Sequence, residues 1–582
     1  MRRMRGLTLV FLFLWPLSGQ TVIPIDTPMS PPGWALAERA LLKANADAAA
    51  EFAAKYSDAR GYLRCVERWG GNDGPDDAME NFHNWTLLYA LGGPQSVLDL
   101  YSKIWEGHLE QYMKARAPGS EMAKDGMYYK EFITSFDWEH TGEGLAAFHF
   151  YSLAAPGDPI YLQRVRRFAG FYLNEDPEAP NYDPKHKIIR SLHNGSRGPK
   201  LTPASMEDWG GLPVPGKPEL LERYREASNI RGDHPLNLCA STLAFNAYAL
   251  TGEKKYHDWL LEYASAWRER VEANGGNIPT NIGLDGRIGG EWGGKWYGGV
   301  FGWAFDPKQS HRNYFKRGPR IAFGEAFLLT HDERYIDILR RQMDNLYAAK
   351  RIENGLVLLP NKHGDAGWFG YMPSWHSDLE LDLYLWSMKP SDRERVATQG
   401  WIAFLEGNKP DYPLKALQAE FERVRSKVKG LREDPSTPDT RYADTPQRYN
   451  PVATTALINL TLGANDPGNA GNILHSRVRY FDPVRRRAGL PDDVAALVER
   501  ILPEEIVLAL VNTNPVDTRE LIVQMGAYRE HHCDSVTVGA RKIVIDAPFF
   551  RVRLAAGSGE RLTISMKRYA HQPTLALPWE PQ

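Results

Sequence analysis

The sequence has few cysteines and no excess of charge of either sign. Only three of its 582 residues are cysteine, and none stands in a CxxC pair, so neither a disulfide framework nor a thiolate zinc site is expected. Lys and Arg together number 70 against 72 Asp and Glu, so the chain lacks the basic field that would hold nucleic acid or an anionic membrane. We predict no nucleic-acid partner, no metal and no cofactor.

Long apolar runs are also absent after the amino terminus. Arg2, Arg3 and Arg5 precede a short apolar run that ends at Leu14, which is typical of a secretory signal peptide over residues 1–20. No later stretch approaches the ~20 apolar residues that cross a bilayer as a helix. We expect a secreted or periplasmic protein with no membrane association after cleavage; an uncleaved anchor is the alternative. The oligomeric state is not predictable.

What the sequence does contain is a repeated helical hairpin. The clearest copies span 146–172, 243–271 and 321–347, and weaker copies span 85–112 and 452–481. In the clear copies the first helix is apolar all round and the second carries charges on one face, which indicates an inner and an outer helix. We predict an α/α toroid of hairpins over residues 21–500. An α-solenoid is the alternative, although the irregular insertions disfavour its fixed period.

The pattern changes near residue 504 to alternation of apolar and polar residues. Five predicted strands follow, separated by turn signals such as Asn-Pro and Gly-Ser-Gly. They are 506–511, 521–525, 542–546, 549–554 and 561–566. We predict a small C-terminal β-sandwich over residues 501–582, so the fold class is mainly α with an appended β-domain. The segment 407–450 is predicted to hold one amphipathic helix over 414–428.

Polar residues gather just before the predicted inner helices. Parallel inner helices would bring their amino termini to one mouth of a toroid. The residues concerned are Glu80, Asn81, His83 and Asn84; Asp137, Glu139, His140 and Glu143; Arg231, Asp233, His234 and Asn237; and later Arg312 and Asn450. Helix capping is the alternative for each, and is the preferred interpretation of Asp233. Repetition of His is harder to attribute to capping.

A glycine-rich loop over 274–306 carries Trp292, Trp296 and Tyr297. Dense glycine lets backbone approach a ligand closely, and the aromatic rings offer stacking faces. A structural plug is the alternative. With a polar mouth, this composition indicates a carbohydrate-active enzyme, for which two chemistries compete.

The first chemistry is β-elimination on a uronic acid polymer, which needs a group to neutralise the C5 carboxylate and a base, commonly His or Tyr. The second is glycoside hydrolysis, which needs two carboxylates; Asp137, Glu139 and Glu143 are candidates. A glycan-binding protein without activity is a third reading.

The Asn/His, Glu-His and Asp-His-Pro-Leu-Asn leaders, followed by Trp-Tyr-Gly-Gly, resemble the α/α-toroid polysaccharide lyases, including those that cleave alginate and glucuronan. The resemblance implies Tyr297 as proton shuttle, His234 as a second base or stabiliser, and Arg231 or Asn84 as carboxylate clamp. We therefore predict a lyase for an acidic polysaccharide, with a glycoside hydrolase as alternative. The predicted catalytic residues are Tyr297, His234, Arg231 and His140, and the predicted substrate-binding residues are Asn84, Glu143, Asn237, Trp292, Trp296 and Arg312.

Overall fold

The computed structural model describes residues 21–66, 75–114, 143–177, 180–190, 232–290, 293–298, 317–373 and 376–580. The helices are α1 Gly33–Tyr56, α2 Pro75–Glu80, α3 Trp85–Leu91, α4 Gln95–Lys114, α5 Ala146–Ala154, α6 Pro159–Gly170, α7 Ser241–Thr251, α8 Lys254–Ala273, α9 Gly318–Thr330, α10 Arg334–Ala348, α11 Ser377–Ser387, α12 Pro390–Arg393, α13 Gly400–Leu405, α14 Tyr412–Glu433 and α15 Thr455–Leu457. A π-helix, Ile458–Leu462, continues α15, and short 3-10 helices span Glu143–Leu145, Pro235–Ala240 and Thr445–Tyr449. The predicted amphipathic helix in 407–450 is α14.

Four of the five predicted hairpins are present. They are α3–α4, α5–α6, α7–α8 and α9–α10, and in each the first helix is the more deeply buried. The turn before α6 shows the local cause. Asp158 caps the helix by accepting from the backbone N–H groups of Ile160 and Tyr161, and Pro159 occupies the first helical position, where a missing N–H costs nothing.

The fifth predicted hairpin, 452–481, is wrong. After the π-helix ends at Leu462 the chain enters a long loop, residues 463–477, and then strand Val478–Asp482 instead of a second helix. The apolar residues of this stretch are buried without helical periodicity, because they cross the interior between the helices and the sheets. We call residues 463–477 the central loop.

Six helices, α3, α5, α7, α9, α11 and α15 with its π-helical extension, direct their carboxyl ends at residues 477–575. We call them the core helices. Arg487 donates to Tyr89 O and Gly93 O, Arg479 to Leu153 O, Arg568 to Trp386 O and Ser387 O, Gln572 to Leu329 O, and the backbone N–H groups of Leu575 and Arg477 to Ala249 O and Leu462 O. Cationic donors suit the orphan carbonyls and negative dipole of a helix end. The core helices therefore run in the same sense, with their amino ends away from the sheets.

Residues 477–575 carry most of two five-stranded sheets. The first has the order β1 Val22–Ile25, β14 Phe549–Leu554, β11 Arg519–Met525, β7 Val478–Asp482 and β8 Arg487–Ala488. The second has the order β13 Arg541–Ala547, β12 His532–Val538, β15 Gly559–Lys567, β10 Glu505–Asn512 and β9 Val494–Ile501. All pairs are antiparallel except β1 with β14.

The five predicted strands correspond to β10, β11, β13, β14 and β15. The sheets also recruit β1 from the amino terminus and strands from Val478 on, ahead of the predicted boundary at residue 501. A further antiparallel sheet was not predicted: β4 Arg351–Glu353, β5 Leu356–Gly364 and β6 Gly367–Pro373 follow α10. A two-stranded pair, β2 Tyr182–Asp183 and β3 Ile188–Ile189, lies in the connection after α6.

Closure of the helices into a full toroid stays a prediction, because residues 115–142, 191–231 and 299–316, which connect successive hairpins, lie outside the described residues. The predicted signal peptide, 1–20, also lies outside them. Among the helices that the structure describes, none has the length and apolar character needed to cross a membrane.

Candidate active site

A polar recess lies at the amino ends of α3 and α15. It is lined by His83, Asn84, Arg423, Thr455, Asp466 and Gly468, with apolar walls from Leu87 and Phe150. Asn84 immediately precedes α3 and Thr455 begins α15, so the recess sits at the end of the core helices that faces away from the sheets. An imidazole, a guanidinium, a carboxylate and a hydroxyl meet there.

The hydrogen bonding of His83 fixes its tautomer. Nδ1 lies 3.0 Å from the backbone oxygen of Glu80, and because a carbonyl only accepts, Nδ1 carries the proton. Burial lowers the pKa of His83 below its usual value, with the Arg423 cation acting in the same direction and Asp466 against it. The ring is therefore neutral at pH 7, and its unprotonated nitrogen is Nε2. A neutral imidazole with a free lone pair is a general base.

Arg423 supplies positive charge to the recess. It lies on the exposed side of α14 and forms no hydrogen bond or ion pair within the described part of the chain. A guanidinium without a carboxylate partner can bind an anion through its paired N–H groups. The recess thus offers a carboxylate-binding group beside a base.

The central loop holds Asp466 in the recess. Thr455 Oγ1 donates to Asp466 Oδ2 at 2.6 Å, and the backbone N–H of Gly468 donates to Oδ1 at 2.8 Å. The neighbouring residue, Asn465, donates to Asp382 of α11 at 2.9 Å. Asp466 is therefore a fixed acceptor rather than a mobile surface carboxylate.

A second carboxyl group lies close by on α14. Glu420 is one helical turn before Arg423 and is 9% exposed. Burial raises the pKa of Glu420, the Asp466 carboxylate raises it further, and Arg423 lowers it. Two neighbouring carboxyl groups in different environments are the arrangement that separates an acid from a base.

Of the predicted site residues, Asn84 lies in the recess, but both polar atoms of its side-chain amide form hydrogen bonds within the protein. Its Nδ2 donates to Val452 O at 2.9 Å and its Oδ1 accepts from Asn450 at 3.2 Å. These bonds tie α3 to the segment that leads into α15. Asn84 thereby positions its neighbour His83.

His234 and Asn237 lie at the start of the 3-10 helix before α7, both buried. Asp233 beside them is a structural hub. It accepts from the backbone N–H groups of Ile189 and His234 and from the side chains of Asn237, Tyr263 and Trp267. Burial raises the pKa of Asp233 to about 6 despite these donors. None of these five donors to Asp233 is among the residues that line the His83 recess.

Tyr297 and Trp296 lie in a different cluster. The Tyr297 hydroxyl donates to Asp365 Oδ1 at 2.7 Å, and Trp296 packs against His363 and Trp368 of the β5–β6 hairpin at centroid distances of 4.5 and 5.9 Å. The hydrogen bond to Asp365 raises the pKa of Tyr297, which makes its phenolate harder to form. The hydrogen bond to Asp365 therefore disfavours Tyr297 as a general base.

The remaining predicted residues cannot be compared with the recess. Arg231, His140, Trp292 and Arg312 lie outside the described residues, as do Asp137 and Glu139. Glu143 starts the Glu143–Leu145 helix, but its side chain is outside the description. Their roles stay predictions.

Sequence reasoning missed Arg423 and Asp466. Arg423 lies in the segment 407–450, for which only an amphipathic helix was predicted, and Asp466 lies in the wrongly predicted hairpin 452–481. The stretch Asn465-Asp466-Pro467-Gly468-Asn469 has the ordinary composition of a turn, so no local signal marked Asp466 as a site residue.

A protein family described as "Domain of unknown function (DUF8034)" matches residues 22–211, 204–356 and 396–458, which together make up more than half of the chain. The chain belongs to this family. The matched residues of this DUF8034 protein include His83, Asn84 and Arg423, whereas Asp466 lies beyond them. No curated protein is significantly similar to it in sequence.

Two solved structures are distantly similar to the DUF8034 chain. The structure of cellobiose 2-epimerase from Bacillus thermoamylovorans B4167 is 9% identical with a TM-score of 0.37, covering 69% of this chain and 94% of that one. Ara127N-Se, a GH127 β-L-arabinofuranosidase from Geobacillus stearothermophilus T6, is 11% identical with a TM-score of 0.32, covering 90% and 76%. Similarity at this level assigns neither activity nor substrate to the chain.

Proposed function

We propose that the protein is a secreted polysaccharide lyase that cleaves a uronic-acid-containing polysaccharide by β-elimination in the His83 recess. The observation that carries the proposal is the pairing of a neutral imidazole with a guanidinium that has no partner among the described residues. β-Elimination needs these two groups together, because the C5 proton becomes acidic only when the adjacent carboxylate is neutralised.

In this mechanism Arg423 binds the C5 carboxylate of the sugar. His83 Nε2 takes the C5 proton, the C5–H electron pair forms the C4–C5 double bond, and the C4–O bond breaks. The departing oxygen takes a proton, which the His83 imidazolium can return. Asp466, held by Thr455 and the central loop, accepts hydrogen bonds from sugar hydroxyls and favours the imidazolium that forms.

Glycoside hydrolysis is the second candidate, and Glu420 is the observation that favours it. Glu420 has a raised pKa beside the better-solvated Asp466, which suits an acid and its ionised partner. Elimination is preferred because Asp466 is the only carboxylate among the described residues lining the recess, and hydrolysis requires two groups that reach the glycosidic bond.

The deciding experiment is incubation of the purified protein with alginate, glucuronan, glycosaminoglycans, pectin and ulvan. Absorbance near the ultraviolet band of a C4–C5 double bond and the formation of reducing ends are followed together. A lyase produces both signals in equal molar amount. Reducing ends without absorbance would contradict elimination and support hydrolysis, and binding with neither signal would support a non-catalytic glycan-binding protein.

A further inference from the structure

A buried carboxyl group, Glu325 of α9, contacts two hydroxyl groups of α7, one of which also contacts the central loop. Glu325 is 0% exposed. Its Oε2 contacts the Ser241 hydroxyl, and its Oε1 lies 2.7 Å from Thr242 Oγ1. Both hydroxyls belong to the first turn of α7.

The two hydroxyl groups face other acceptors as well. Ser241 Oγ lies 2.8 Å from Leu238 O, and Thr242 Oγ1 lies 2.9 Å from Gly471 O of the central loop. Each hydroxyl has one proton, and a carbonyl can only accept. The two hydroxyls supply only two protons for these four contacts, so Thr242 can donate to Gly471 and still hydrogen-bond Glu325 only if the carboxyl group donates to Thr242. That donation requires a protonated Glu325.

The bond to Gly471 reaches the recess through the central loop. Asn472 Nδ2 donates to Pro467 O at 2.6 Å, and Pro467 directly follows Asp466. Gly471 has a φ of 83° and sits where an added Cβ would lie 3.3 Å from the His149 ring, so this point of the loop has little room to move. Loss of the Thr242–Gly471 bond would therefore be transmitted toward Asp466.

The groups around Glu325 do not offer a counter-charge. On α5, His149 faces Gly471, and burial lowers its pKa to about 3, so it is neutral. From the sheet region Tyr528 faces the same interior, and burial raises its pKa above the usual range. Ser241 and Thr242 are uncharged. Among the described residues no cation hydrogen-bonds or ion-pairs with Glu325, and burial raises the pKa of its carboxyl to about 8.

We propose that protonated Glu325 holds the central loop against α7 and thereby positions Asp466 in the recess. Deprotonation of Glu325 releases the central loop. Only the expected effect of Glu325 on catalysis rests on the proposed function; its effect on the central loop does not. When Glu325 ionises, both hydroxyls turn their single proton toward the carboxylate, and Thr242 can no longer donate to Gly471. Glu325 is a positioning residue that does not touch substrate.

The test compares wild type, Glu325→Gln and Glu38→Gln. Gln keeps the shape of the carboxyl group but cannot ionise. Glu38 is a matched control, because burial also raises its pKa to about 8, but its carboxyl group accepts from the backbone N–H of Ala496, which is outside the central loop. Hydrogen–deuterium exchange of a peptide covering 463–477 is measured at pH 6 and pH 9, comparing proteins at the same pH.

At pH 9 we expect faster loop exchange in wild type and Glu38→Gln than in Glu325→Gln, with no difference at pH 6. Equal exchange in wild type and Glu325→Gln at both pH values would overturn the proposal. If Glu325→Gln does not fold, Thr242→Val is used instead. Val cannot donate a hydrogen bond to Gly471, so the central loop of this variant should exchange faster than that of wild type already at pH 6. Exchange as slow as in wild type would overturn the proposal.

The catalytic consequence is tested separately. On any polymer that is cleaved, kcat/KM of wild type should fall about tenfold per pH unit above pH 8, as expected for loss of one required proton, while that of Glu325→Gln should not. An unchanged alkaline limb in Glu325→Gln would refute the link to catalysis. If Glu325→Gln slows exchange of the central loop at pH 9 but no polymer is cleaved, the proposed function is wrong and the positioning of the loop by Glu325 is still supported.

Discussion

The two ends of the core helices are built differently. At the carboxyl ends, backbone carbonyls accept from Arg477, Arg479, Arg487 and Arg568, and the arginines are buried or half-buried. At the amino ends, His83 keeps an unprotonated nitrogen and Arg423 has no partner among the described residues. The carboxyl ends pair backbone carbonyls with arginine donors, whereas the recess at the amino ends leaves the His83 nitrogen and the Arg423 guanidinium available.

This difference favours a structural role for the carboxyl ends and the proposed catalytic role for the amino ends. Buried arginines lose much of their hydration, and burial lowers the pKa of Arg477 and Arg479 to about 10. Such groups are tolerated because the converging helix ends supply carbonyl acceptors and negative dipoles. An uncommitted base and cation contribute no comparable stabilisation, so their presence at the other end favours the proposed catalytic role of the recess.

The largest expected effect is at the amino ends. His83→Asn keeps a donor that can reach Glu80 O but removes Nε2, so kcat/KM on the cleaved polymer should fall ~10²–10⁴-fold, equivalent to about 3–5 kcal/mol of transition-state stabilisation. Melting temperature should barely change. Initial rates of double-bond absorbance give the measurement.

His257→Asn is the matched control, because His257 lies on the outer helix α8 and contacts only its neighbour Asp258 among the hydrogen-bonded side chains described. It should keep full activity. Full activity in His83→Asn would place the base elsewhere, whereas equal losses of activity and stability would assign His83 a structural role.

The next effect is at the carboxyl ends. Arg479→Met removes the donors to Leu153 O and Ala527 O. Each buried carbonyl left unsatisfied costs roughly 1–3 kcal/mol, so we expect a loss of about 2–4 kcal/mol in the free energy of unfolding, with activity per folded molecule unchanged. Urea denaturation at constant pH measures it.

Arg553→Met, an exposed change on β14, serves as control and should alter stability by less than about 0.5 kcal/mol. A similarly small effect of Arg479→Met would remove the stability half of the comparison. A specific loss of activity without a loss of stability would mean that the carboxyl ends also take part in function.

Local pattern was enough to predict four hairpins and five strands. In each hairpin a fully apolar helix and an amphipathic one are joined by a strong turn, so neighbouring residues alone determine the structure. The central loop was not predictable in this way, because contacts to α5, α7 and α11, which are distant in sequence, hold it in place. The β4–β6 sheet was missed since its strands include Asn, Lys and His instead of clean alternation.

The recess was predictable only in part. Asn84 was predicted as a substrate-binding residue and His83 was noted beside it, because both precede an obvious apolar helix, but His83 was not predicted as the base. Asp466 and Arg423 come to the same place from segments about 380 and 340 residues further along the chain, and no local pattern relates such distant residues. Tyr297 was chosen through resemblance, and its partner Asp365 belongs to the sheet that was not predicted.

The smallest effect sharpens the choice between the two candidate bases. Tyr297→Phe should lower kcat/KM less than about threefold. The Tyr297 hydroxyl donates a hydrogen bond to Asp365, which raises the pKa of Tyr297 and opposes its use as a base at neutral pH. Asp365→Asn adds a second readout. Removing that anion lowers the pKa of Tyr297, so if Tyr297 were the base, activity would increase and its pH optimum would shift down; with His83 as the base, both stay unchanged. A loss of 100-fold or more in Tyr297→Phe, together with a shifted optimum in Asp365→Asn, would move the base from the recess to the glycine-rich loop.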